Sequence, residues 1–76
     1  MNIRKANERA RSLFGPGAVC ETRRTGQTYE RVVILKDGLP GTPVGEAVLR
    51  FPGGTPWSHA FDMVTGLLAK TGSEGT

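Results

Sequence analysis

Glycine and proline decide where regular structure can run in this chain. Gly15-Pro16-Gly17, the stretch from Leu39 to Gly45, and Pro52-Gly53-Gly54 interrupt it three times. Glycine is costly inside a helix or strand, and proline removes a backbone donor. The pieces between the breaks are short, so each holds one helix or one or two strands. Apolar periodicity says which. Before the first break, Ile3, Ala6, Ala10, Leu13 and Phe14 recur at steps of 3, 4, 3 and 1, one stripe of a helix over residues 3–14. Asn2 is placed to cap its start, and Gly15-Pro16 to stop it. Arg4, Lys5, Glu8, Arg9, Arg11 and Ser12 fall on the other side. There Glu8 has Arg4 one turn before it and Arg11 one turn after.

Beyond the first break the pattern changes to that of strands. Ala18 to Arg24 reads as a short strand with Val19 and Thr22 as β-branched members, and Thr25-Gly26-Gln27 as a turn. Thr28 to Lys36 carries the strongest strand signal, with Tyr29, Val32, Val33, Ile34 and Leu35. Both of its alternating sets are apolar near the end, which predicts a central strand covered on at least one face. Asp37-Gly38 ends it. The prolines between Leu39 and Gly45 predict a loop. Glu46 to Phe51 then alternates, with Ala47, Leu49 and Phe51 on one side and Glu46, Val48 and Arg50 on the other. After the third break, Thr55 stands as N-cap and Pro56 as first helical residue. Trp57, Ala60, Phe61, Val64, Leu67 and Leu68 form the apolar stripe of a second helix over residues 56–70, with Gly66 on its polar side and Gly72 closing it.

The expected fold is α+β, in the order α-β-β-β-α: a three-stranded antiparallel sheet with two helices packed on one face. The core is expected to draw Leu13, Phe14, Trp57, Phe61, Val64 and Leu68 from the helices and one alternating set from each strand. The other sheet face is expected to be largely open. A chain of 76 residues supports one core. We expect a compact domain at 1–72 with a tail at 73–76. The longest apolar run is Val32 to Leu35, far short of a membrane span. The sequence predicts no export signal, hence a cytoplasmic protein. Its single cysteine forms no internal disulfide, and Cys20 and His59 alone make no metal cluster. No cofactor and no small-molecule substrate are expected.

Charge is uneven. Residues 1–36 hold eight bases and three acids, whereas residues 37–76 hold two bases and four acids. Seven of the ten bases are Arg, the side chain suited to forked contacts with phosphate or carboxylate. A basic half attracts nucleic acid or an acidic protein surface, although a solvated face explains a net charge of +3 equally well. The candidate contact residues are Arg23, Arg24 and Arg31 beside the Gly26 turn, Tyr29 on the same side of its strand as Arg31, and Arg4 and Arg11 on the first helix. Adjacent Arg23 and Arg24 point to opposite faces of a strand, so they form no single clamp. Cys20 and His59 are the only candidates for nucleophile and base, and a mid-strand thiol in an apolar setting is usually inert. His59 and Asp62 are spaced to pair on the polar side of the second helix. Trp57 lies on the apolar stripe and is expected in the core. The glycine-rich segment at Gly15 follows a helix and precedes a strand, the reverse of a phosphate loop.

The element order resembles the double-stranded RNA-binding domain. Thr25-Gly26-Gln27-Thr28 stands where that family carries an RNA-contact loop. Gly53-Gly54-Thr55 stands where it has a Gly-rich approach to its second helix. The family's Gly-Pro-x-His loop pattern is absent, and Pro56-Trp57-Ser58-His59-Ala60 replaces the basic run that holds phosphates. A looser resemblance, in size and style alone, is to small accessory proteins of phages and mobile elements such as anti-CRISPR proteins. These readings imply a non-catalytic binding module that docks on, and in the inhibitory case blocks, a host protein or protein–nucleic-acid complex. A degenerate duplex-RNA binder is the alternative, and an enzyme is remote.

Overall fold

The computed structural model describes residues 1–38 and 45–73, with side chains of the last helix as far as Ala69. The elements are α1 (Ile3–Phe14), β1 (Ala18–Thr25), β2 (Thr28–Leu35), β3 (Ala47–Pro52) and α2 (Trp57–Ser73). The strands form one antiparallel sheet in the order β1-β2-β3. This is the expected α-β-β-β-α architecture. The Pro-rich loop falls outside the described residues up to residue 44, as does the tail beyond Ser73.

Local chemistry sets each boundary. The Lys5 N–H donates to Asn2 Oδ1 at 2.9 Å, capping α1. Gly15 ends that helix with φ 100°, its N–H donating to the Arg11 carbonyl at 3.0 Å. The β1–β2 hairpin turns on Gly26 at φ 65° followed by a residue of negative φ, the type II′ pattern that matches strand twist. Each strand differs from its expected span by one residue at one or both ends, and both ends of α2 shift. The first α2 bond runs from the Ala60 N–H to the Pro56 carbonyl, so Pro56 takes the cap position predicted for Thr55. Gly72 does not close α2, which continues through Ser73.

Register divides the side chains between two faces. Ala18, Cys20, Arg31, Val33, Leu35, Leu49 and Phe51 share the helix side. Ala6 and Ala10 are fully buried, and their small size lets α1 lie close on β1. Asn7 fastens that contact. Its Oδ1 accepts from the Cys20 N–H at 2.8 Å, and its Nδ2 donates to the Cys20 carbonyl at 3.1 Å. From α2, Trp57, Ala60, Phe61 and Val64 complete the core. The Phe61 ring centroid lies 5.9 Å from that of Trp57 in a stacked arrangement and 5.9 Å from that of Phe14 edge-on. Both helices therefore pack on one face, and Trp57 is a core residue as expected.

Leu13 does not join the core and stays exposed, as does Ile3. The α1 stripe is narrowed to Ala6, Ala10 and Phe14 because the helix meets a single strand. The far face is also less open than expected. Val32 and Ile34 are buried there, Val32 between Glu21 and Arg50 on the neighbouring strands. The aliphatic stems of those two residues flank it.

Candidate functional site

The hairpin end of the sheet gathers part of the predicted contact set. The last β2–β3 pair is Glu30 with Pro52, so the hairpin tip, including Tyr29, extends beyond β3. Tyr29 stands opposite Arg24 across the hairpin, and 54% of it is exposed. The Arg24 guanidinium lies 5.8 Å from the ring centroid, and its Nε donates to the Gly26 carbonyl at 3.3 Å. Arg24 makes no ion pair among the described residues. The tip itself is tied by Thr28 Oγ1, which donates to the Thr25 carbonyl at 3.0 Å.

A shallow cleft of about 800 Å³ opens beside Tyr29, between the start of β2 and the Pro52-Gly53-Gly54 turn, with Glu30 and Arg50 on its sides. Gly53 makes this close approach possible. A Cβ added there would fall 2.5 Å from the Tyr29 carbonyl oxygen, well inside contact distance.

The remaining candidates lie elsewhere or have structural duties. Arg31 shares the face of Arg24 and Tyr29 but is turned inward. Its Nη1 donates to the Thr55 carbonyl at 2.7 Å, and its guanidinium lies 5.0 Å from the Trp57 ring centroid. It thus ties the strand to the entrance of α2. Arg23 is on the opposite face, where both its Nε and Nη2 donate to Glu21 Oε2, at 3.0 and 2.8 Å. Arg4 and Arg11 are exposed on α1, Arg4 in its first turn and Arg11 in its last. Arg4 lies 3.9 Å from Glu8, and no bond joins Glu8 to Arg11 among the described residues. The six residues therefore form no single patch.

Cys20 is buried among the core side chains, its Sγ donating to the Ala6 carbonyl at 3.6 Å. Burial pushes its thiol up from 9.0 to about 11, opposed in part by the Arg11 charge. His59 is exposed on α2 and bonds neither Cys20 nor Asp62 among the described residues. No group of three metal-ligating side chains is assembled among the described residues. Sequence reasoning missed the Arg31–Thr55–Trp57 link. Its signal was the alternation that puts Arg31 on the side of Val33 and Leu35, hence toward the helices. Comparison with protein-family models, with curated proteins and with solved structures finds no match for this chain.

Proposed function

We propose that this chain is a small non-catalytic binding module that docks on a protein or protein–nucleic-acid complex through its hairpin end. The observation that carries the reading is Arg24 stacked on a largely exposed Tyr29 at the projecting tip. Arg and Tyr are the side chains enriched among binding anchors. A guanidinium already held over a ring loses less freedom on binding, and Arg24 gives up no carboxylate partner among the described residues. The cleft beside Tyr29 offers a recess for a partner side chain. The high pKa of Cys20 supports a non-catalytic role, since little thiolate exists near neutral pH. In size, such a module fits the accessory proteins of phages and mobile elements.

Duplex RNA is the second reading, favoured by the exposed bases Arg4, Lys5, Arg9 and Arg11 along α1. Against it, α2 carries Asp62 and no Lys or Arg from Trp57 to Ala69.

The test is affinity purification of partners with and without nuclease, repeated with Arg24→Glu/Tyr29→Ala. We expect nuclease-resistant capture that this variant abolishes and that Arg23→Glu, on the other face, leaves largely intact. Reversing Arg31 as well would confound the result, because it also removes the link to Thr55 and Trp57. Capture that survives in the double variant would overturn the assignment of the hairpin end.

A further inference from the structure

The two edges of the sheet are treated differently. A two-residue hairpin closed by Thr25 and Thr28 makes that pair hydrogen-bonded, and alternation fixes every other pair. The outward backbone groups of β1 are then those of Ala18, Cys20, Thr22 and Arg24. Two of these positions, both under α1, are occupied: the Ala18 N–H donates to the Gly15 carbonyl at 3.2 Å, and both Cys20 groups bond Asn7, whereas the outward backbone groups of Thr22 and Arg24 at the polar hairpin end find no partner among the described residues. On β3 the outward groups are those of Val48, Arg50 and Pro52. Pro52 has no N–H, and its carbonyl accepts from the Thr55 N–H at 2.9 Å. The N–H and C=O of Val48 and Arg50 find no partner among the described residues.

Apolar surface accompanies this open edge. Val48 is exposed on β3, and Met63 and Leu67 are exposed on α2. Leu49, Phe51 and Val64 join Met63 and Leu67 in a groove of about 240 Å³ between the strand and the helix. An open edge flanked by apolar side chains is a template for another strand.

We propose that β3 pairs antiparallel with β3 of a second copy, forming a symmetric dimer with a continuous six-stranded sheet. The edge is self-complementary in one register. With Leu49 opposite Leu49 of the second copy, Val48 and Arg50 of each chain exchange both backbone bonds with Arg50 and Val48 of the other. The same register sets Arg50 diagonal to both Glu46, the residue before β3, and Arg50 of the second copy on the far face, so the two Glu46 carboxylates offset the like charge that the two Arg50 bring to the axis. It also brings the two grooves together across the axis. Pro52 ends the ladder by lacking a donor, which keeps the pairing short and the contact closed by its two-fold. An interface of one short strand and one groove per chain belongs to the weak, concentration-dependent class.

The experiment is sedimentation of the full chain up to submillimolar concentration, with amide exchange of Val48 and Arg50 followed by NMR. The expected result is a mass that doubles with concentration and slowed exchange at both amides. Val48→Pro removes an outward N–H without touching the β2 ladder and should leave a monomer with unchanged circular dichroism. Glu46→Arg or Arg50→Glu alone should weaken association about tenfold, because each change acts twice across the two-fold. The double swap should restore it, which keeps the test informative if Val48→Pro unfolds. A monomer throughout with freely exchanging amides overturns the proposal and leaves the edge to a strand of a different protein. A dimer that persists in Val48→Pro, or a double swap that fails to restore association, overturns it as well.

Discussion

Cys20 shows how a residue's chemistry is fixed by its place in the fold. Its Sγ faces the Ala6 carbonyl in the core, while its backbone is held by Asn7. Between the unfolded thiol's 9.0 and the folded thiol's value of about 11, the unfolded chain loses its proton first. The unfolded state then binds fewer protons, so stability falls as pH rises. The contribution is intact below pH 9 and is lost progressively toward pH 11, amounting to about 2–3 kcal/mol. Denaturation of the wild type against Cys20→Ala across pH 8 to 11 checks this. The difference between them should shrink or reverse with rising pH, and a constant difference would refute it. Burial of the thiol was legible in the sequence, because a cysteine beside Val19 in a strand is usually core. The Asn7 clamp was not. Asn7 sits near the apolar stripe of α1, and nothing local distinguishes an Asn that bonds a strand edge thirteen residues away from one that faces water.

At the scale of elements, α2 is where pattern and packing agree best. Trp57, Ala60, Phe61 and Val64 were set on one stripe by their spacing, and all four are buried. Phe61 is central, because its ring meets both Trp57 and Phe14 and so joins the two helices. Phe61→Ala should cost about 3–5 kcal/mol, much of the stability available to a domain of this size. A urea melt checks it, and an unchanged midpoint would refute this packing. The α1 stripe was less informative. Periodicity places Ile3 and Leu13 with Ala6 and Ala10, but one strand offers too little width to cover them, and a sequence does not state how broad a surface its helix will meet. The hairpin was legible for a different reason: Gly26 between two strand patterns leaves few other ways to turn. What Arg31 does there was hidden, since its partner carbonyl at Thr55 is twenty-four residues away.

For the whole molecule, the arrangement of charge decides between partners of different kinds. The topology is the one whose resemblance implied duplex RNA, and α1 presents four exposed bases. A duplex presents its phosphates along its length, however, and neutralising them needs positive charge at several separated points. Here the described bases lie on α1, at the hairpin, at Lys36 just after β2 and at Arg50 on β3, and none lies from Trp57 to Ala69. Two are already committed, Arg23 to Glu21 and Arg31 to the Thr55 carbonyl. The start of α2 offers Pro56, Trp57, Ser58 and His59, with Trp57 and its ring turned into the core. Affinity for duplex RNA should therefore be weak, at or above roughly micromolar near physiological salt, and should fall steeply as salt rises. Removing Arg4 and Arg9 together should weaken it further and flatten the salt slope, whereas Arg24→Glu/Tyr29→Ala should affect a docked protein partner far more than the duplex. Titration of a labelled sixteen-base-pair RNA at two salt concentrations measures this directly. Tight binding that persists at physiological salt would make RNA the primary partner and would move the functional surface from the hairpin tip to the basic face of α1.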